Sequence, residues 1–242
     1  MLFRSRSAAK QVVFLARLFS IVLVHGAGSF GHIPAKRWDL ASGFRKPSQL
    51  RGLSITKSKL LEWEAIIGDE FLRERVPLFQ LSTSDFVVTN RGRIRSADMG
   101  PIRKWLSIGC IPSLGGDLVT DVKRGFAILS GDQLAAHLAI KLAASRLIFG
   151  IDVDGIFDAN PKLSTRAKLL GSISTGQASG LIKMAGISFT PDVTGGMAGK
   201  ISEAVVAARR GIPVYFVNLT KGNRLESVAL NRKVPCSRIK AE

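Results

Sequence analysis

Short apolar runs of strand length alternate with longer segments whose apolar residues recur at helical spacing, and this alternation restricts the fold more than any other feature. Residues 20–25 form a short β-rich run. Over residues 56–71, Leu60, Leu61, Trp63, Ile66, Ile67 and Phe71 recur as on one helix face. Residues 86–95 read as a hairpin turning at Asn90-Arg91-Gly92, and residues 118–129 as a second, turning near Lys123-Arg124-Gly125. A helix is expected over 133–144, a buried strand over 146–151, a helix over 201–210 closed by Gly211, and a strand over 213–218. Strand–helix alternation of this kind predicts a three-layer α/β/α sandwich with a mostly parallel, open central sheet. No Pro/Gly/Ser-rich linker divides the chain, so one domain is expected over residues 1–242.

Composition removes several classes of function. Hydrophobic residues make up 46% of the chain, enough for a core, which rules out a disordered chain. The net charge is +17, but the basic residues are scattered and the chain has one tyrosine, a poor basis for a base-stacking nucleic-acid surface. A basic surface that draws in anionic substrates is the simpler reading. The two cysteines form no CxxC pair, and the three histidines have no zinc spacing, so no metal site is expected. Cys110 lies in an apolar run and reads as a small buried residue, and the setting is expected to be reducing and cytoplasmic. Near the start, Arg4, Arg6 and Lys10 precede the apolar stretch 12–24. Arg17 interrupts that stretch, which is shorter than the about 20 residues of a spanning helix. It is read as the end of a helix followed by a buried strand over 21–25, with no membrane role.

Four segments carry chemistry. In His25-Gly26-Ala27-Gly28-Ser29-Phe30-Gly31-His32 a strand ends, small residues follow and a helix begins. Glycines allow close backbone approach, and N–H groups at a helix start bind anions. His32 is placed within the first turn of that helix, beside the anion site. In Leu129-Ser130-Gly131-Asp132 either Ser130 or Asp132 caps the next helix. The run from Asp152 through Asp154 and Asp158 to Pro161 puts three acids after the C-terminal end of a strand, the edge where open α/β sheets bind ligands. It lacks the twelfth-position glutamate of a calcium loop. Finally, Asp192-Val193-Thr194-Gly195-Gly196-Met197-Ala198-Gly199-Lys200 opens the helix expected from Ile201, and its glycines, hydroxyl and lysine again suit phosphate. The spacing is not that of a P-loop. Two glycine-rich helix starts and a lysine together point to phosphoryl transfer, in which catalysis is positioning and charge neutralisation.

These four segments, in this order, resemble isopentenyl phosphate kinases within the amino acid kinase family, and the resemblance spans about residues 20–220. The closing histidine of HGAGSFGH separates this group from carbamate, glutamate, aspartate and uridylate kinases; a fosfomycin kinase relative shares it. The resemblance implies ATP-dependent conversion of isopentenyl phosphate to isopentenyl diphosphate, on the alternative mevalonate route of isoprenoid biosynthesis. It implies an acceptor-binding part over about residues 1–130 and a nucleotide-binding part over about 131–242. It further implies that His32 bonds the acceptor phosphate, that Ala27 and Gly28 contact acceptor and ATP phosphates, and that Gly116 lines the acceptor site. Asp132 would orient catalytic lysines. Asp152, Asp158 and Pro161 would border the nucleotide, and Gly196 and Lys200 would reach its phosphates. His32, Asp132 and Lys200 are thus the implied catalytic set, with Mg2+ carried on ATP and a homodimeric assembly. The family pattern opens with a Lys-Gly-Gly-Ser strand-loop, and no such segment precedes His25 in this sequence. The competing readings are another small-molecule kinase of the same fold, a catalytically impaired nucleotide- or metabolite-binding relative, and a nucleic-acid-binding protein.

Overall fold

The computed structural model of the chain describes residues 2–161, 163–188 and 196–241. Along the chain the elements are α1 (Leu2–Ala16), β1 (Leu23–His25), α2 (Gly28–Arg37), α3 (Ser48–Arg73), β2 (Leu78–Gln80), β3 (Val87–Asn90), β4 (Arg93–Ala97), α4 (Gly100–Ser107), β5 (Ile111–Gly115), β6 (Asp117–Asp121), β7 (Gly125–Leu129), α5 (Gly131–Lys141), β8 (Leu147–Ile151), β9 (Ser172–Ser174), α6 (Thr175–Ser188), α7 (Gly196–Ala208), β10 (Val214–Asn218), α8 (Arg224–Ala229) and β11 (Ser237–Lys240). The chain forms two compact units, one of residues 20–135 and the other of residues 1–19 with 136–242.

The first unit holds two sheets. One has the order β1-β5-β2 and is parallel throughout, with His25 opposite Gly115 at the carboxyl edge. The other has the order β4-β3-β6-β7, two antiparallel hairpins joined by a parallel β3–β6 pair. The hairpins turn where their residues dictate: Arg91 and Gly92 at φ 51° and 77°, Gly125 at φ 74°. The Asp121 carboxylate fastens both turns, accepting N–H bonds from Arg91, Gly92, Lys123 and Arg124 at 2.7–3.1 Å. Helix α3 begins at Ser48, ahead of the segment expected over 56–71, and is braced by Gln49, whose Oε1 accepts from the N–H groups of Arg45 and Lys46. At Gly52, α3 lies directly against the Trp38 ring, where any side chain would collide.

The second unit is built on the sheet β8-β10-β11-β9, in which β8–β10 and β11–β9 are parallel and β10–β11 antiparallel. Phe149, Val214, Phe216, Ile173 and Ile239 form its buried layer, covered by Ile201, Ala204 and Ala208 of α7. Gly211, at φ 82°, closes α7 by donating to the Ala208 carbonyl, as the sequence predicts. Helix α1 belongs to this unit: it buries Ala9, Val12 and Leu15 and packs on α8, and the Gln11 Oε1 accepts from the Leu225 N–H at 3.0 Å. None of the helices among the described residues is long and apolar enough to cross a membrane.

The chain therefore has the expected α/β class, with parallel strand pairs in each of its sheets and helices packed on them. Several local expectations change. The 146–151 run is not a buried strand: Phe149 alone is buried, because Leu147, Ile148 and Ile151 are only partly covered and Gly150 is exposed. Residues 23–25 and Cys110 are likewise half-buried.

Candidate functional site

In the first unit, three chain segments meet at one carbonyl. The Gly116 N–H donates to the His25 carbonyl at 3.2 Å. A Cβ on Gly131 would lie 2.9 Å from that same oxygen, and one on Gly116 would lie 2.8 Å from the Gly131 nitrogen. A side chain at either position would have to push backbone aside, so glycine is what permits the loop after β1, the β5–β6 junction and the start of α5 to converge. This brings the expected acceptor residues Ala27, Gly28 and Gly116 to the carboxyl edge of a parallel sheet, together with the segment bearing Asp132.

Ala27 occupies the N-cap of α2 with no side-chain cap, and Gly28 follows at φ 53°. The first in-helix bond runs from the Gly31 N–H to the Ala27 carbonyl, so the N–H groups of Gly28, Ser29 and Phe30 have no partner within the helix. Free N–H groups at a helix start are of the kind that suits an anion. His32 is the fifth residue of α2, one position beyond the first turn predicted for it, because the helix begins already at Gly28. Asp132 lies in the first turn of α5, and the capping choice resolves to Ser130, whose Oγ accepts from the Gln133 N–H at 3.1 Å.

Behind the loop stands a polar cluster that sequence reasoning missed. Lys57 Nζ lies 2.6 Å from Asp117 Oδ2 and also donates to Ser82 and Ser84 Oγ at 2.9 and 3.2 Å. Burial pushes the His25 imidazole down to about 4, with the Gly26 carbonyl and the Asp117 carboxylate pulling weakly the other way. His25 is therefore neutral at physiological pH. Burial also raises the Glu64 carboxyl, opposed by Lys57. The Trp63 indole N–H donates to the Gly26 carbonyl at 2.8 Å. The sequence presents Trp63 only as one apolar residue of a helix face, and Lys57 and Asp117 carry no shared motif.

In the second unit, β8 and β10 end together at Ile151 and Asn218. The acidic turn that follows β8 is laced to this edge. Asn218 Nδ2 donates to Asp154 Oδ1 at 3.0 Å, Lys221 Nζ to Asp154 Oδ2 at 3.1 Å, and Thr220 Oγ1 to Asn218 Oδ1 at 2.6 Å. Burial works to raise the Asp154 carboxyl, but these bonds and the Lys221 charge outweigh it and hold it below its usual range. Asp158 Oδ1 accepts from the Lys168 N–H at 2.8 Å, and Gly155 is forced by Ser237, whose Oγ accepts from the Ile156 N–H at 2.7 Å. Asp152 is exposed beyond the strand end, and Pro161 sits half-buried at the end of the turn. Asn218 and Lys221 are the residues here that pattern reading passed over; a polar residue ending the apolar run 214–217 was their only signal.

Gly196 begins α7 at φ 52°, and residues 192–195 of the glycine-rich segment lie outside the described residues. The helix starts before Ile201, so Lys200 lies one turn inside it rather than ahead of it. Its Nζ stands 5.0 Å from the centroid of the Phe149 ring on β8, which itself packs on Phe216 at 5.3 Å. Among the described residues, no group of three or more His, Cys, Asp or Glu side chains is arranged to hold a metal ion.

Residues 4–218 match the amino acid kinase family. An isopentenyl phosphate kinase of Methanothermobacter thermautotrophicus is 35% identical over 226 residues, covering 91% of this chain and 84% of that protein. One of Arabidopsis thaliana is 35% identical over 211 residues, covering 81% of this chain and 63% of that protein. A solved structure of an isopentenyl phosphate kinase has a TM-score of 0.82 and 30% identity, and covers 99% of this chain and 90% of that one.

Proposed function

This chain belongs to the amino acid kinase family, and we propose that it transfers the γ-phosphoryl group of ATP to isopentenyl phosphate, giving isopentenyl diphosphate and ADP. The observation that carries this reading is the glycine-permitted meeting of the 26–28 loop, Gly116 and Gly131 around the His25 carbonyl. It leaves the unpartnered N–H groups of an α2 start and His32 at one sheet edge, a setting that suits a small phosphate monoester. The identity to isopentenyl phosphate kinases supports the choice of acceptor.

In this reading Ala27, Gly28, Gly116 and His32 bind the acceptor phosphate. Gly28, Gly196 and Lys200 bind the phosphates of ATP, with Asp152, Asp158 and Pro161 bordering the nucleotide. An acceptor phosphate oxygen attacks the γ-phosphorus in line as the bond to the bridging oxygen breaks, and no phosphoenzyme forms. Lys200, held over Phe149, offsets charge on the transferring group, and Asp132 orients the cationic groups. Asn218 and Lys221 hold the nucleotide turn through Asp154. Mg2+ arrives on ATP as part of the substrate. The acceptor-binding part is assigned to about residues 1–130 and the nucleotide-binding part to about 131–242, and the assembly is assigned as a homodimer in the cytoplasm. Cys110 and Cys236 are free thiols, in keeping with that compartment.

A competition assay tests the acceptor. Isopentenyl phosphate and dimethylallyl phosphate are expected to outcompete fosfomycin for phosphorylation; equal or preferred use of fosfomycin would sink the assignment.

A further inference from the structure

Trp63 touches the glycine loop at three points. Its indole N–H donates to the Gly26 carbonyl at 2.8 Å, its ring stacks on Phe30 at 5.4 Å and 23°, and it meets the His25 ring edge-on at 6.5 Å and 85°. A single side chain of α3 thus contacts the residue before the loop, the loop itself and the first turn of α2. A peptide unit is planar and trans, so the Gly26 carbonyl and the Ala27 N–H lie in one plane and point in opposite directions. Drawing the carbonyl towards α3 turns the Ala27 N–H away from α3. The other partner of that carbonyl is His25 Nδ1, at a longer 3.4 Å, so the shorter indole bond is the stronger hold; Gly26 itself is exposed, and a Cβ there would meet no atom within 4 Å. The position of Trp63 is itself fixed from the preceding turns of α3, where Lys57 is bound to Asp117, the neighbour of Gly116.

We propose that Trp63 is a positioning residue: through its indole N–H it sets the Gly26–Ala27 peptide so that the Ala27 N–H is presented to the phosphate of the acceptor. This rests on the reading that Ala27 binds the acceptor phosphate. Tryptophan is required in this role because phenylalanine offers the same stacking face to Phe30 without a donor.

The test is steady-state kinetics of Trp63→Phe with ATP–Mg2+ and isopentenyl phosphate. Loss of one hydrogen bond's worth of orientation is expected to raise the acceptor KM about tenfold, with the ATP KM and kcat within about threefold of wild type. An unchanged acceptor KM, or a fall in kcat with both KM values unchanged, overturns the proposal. If Trp63→Phe loses the wild-type circular dichroism spectrum, 3-benzothienylalanine at position 63 replaces the N–H by sulfur within the same bicycle. It is held to the same split, and an unchanged acceptor KM overturns the proposal equally. A wild-type chain that does not turn over isopentenyl phosphate overturns the functional reading and this inference with it. Turnover with an unaltered acceptor KM in the variants overturns the inference alone.

Discussion

Lys57 Nζ lies 2.6 Å from Asp117 Oδ2, an ion pair that ties α3 to the first residue of β6 across a separation of 60 residues. The two ends differ in environment: the Asp117 side chain is 1% exposed and that of Lys57 28%. Asp117 also accepts from the Leu118 and Ser84 N–H groups at 2.8 and 3.1 Å, so its charge is well anchored. Removing its cation strands a buried carboxylate, which destabilises by about 3 kcal/mol. Lys57→Met is therefore expected to lower the urea midpoint accordingly. A midpoint equal to wild type would show that the backbone N–H bonds alone satisfy Asp117.

Gly116→Ala tests the convergence of the three loops. The added methyl would lie 2.8 Å from the Gly131 nitrogen and 3.0 Å from the Leu129 carbonyl, both backbone atoms that cannot rotate aside. Overpacking of this kind costs about 1–3 kcal/mol. Because Gly116 itself is proposed to line the acceptor site, the acceptor KM is expected to rise while the ATP KM changes little. Wild-type stability and kinetics would contradict the geometry.

His25 makes stability depend on pH in a definite direction. Burial lowers its folded pKa from 6.5 to about 4, so between those values the unfolded chain takes up a proton that the folded chain refuses. Its contribution is fully present above about pH 6.5 and is lost as pH falls towards 4, up to about 3 kcal/mol in all. His25→Asn is expected to flatten the stability–pH curve across this window relative to wild type. His137, whose pKa burial also lowers, is present in both chains, so the difference between their curves isolates His25. Parallel curves would mean that His25 is solvated in the folded state.

Lys200→Met removes the ammonium held over Phe149. The exposed-site value of the ring contact is about 0.5–1 kcal/mol, far below the effect expected on catalysis. A charge aimed at a transferring phosphoryl group is worth about 10²–10³ in kcat. A kcat within about threefold of wild type would remove Lys200 from the catalytic set.

Much of the fold is legible in local pattern, and the exceptions have local causes. Both hairpins follow from their turn residues, since Gly92 and Gly125 adopt the positive φ such turns need. The start of α3 escapes because Gly52, Ser54 and Thr56 are weak helix formers; Gly52 is there for the close approach of Trp38, a tertiary reason. Strand β5 escapes because Pro112 argues against a central strand, yet it pairs on both sides, with β1 and β2. At the site, the glycine loops, His32 and Lys200 stand out as motifs. Trp63, Lys57 and Asn218 do not, because their meaning lies in partners 37, 60 and 64 residues away.

The most direct test of the account is release of ADP from ATP–Mg2+ by this chain with and without isopentenyl phosphate, with the product followed by phosphorus NMR. The account predicts ADP formation that depends on the acceptor and matches, mole for mole, the appearance of a diphosphate. No acceptor-dependent ADP release, despite a folded chain, would contradict it.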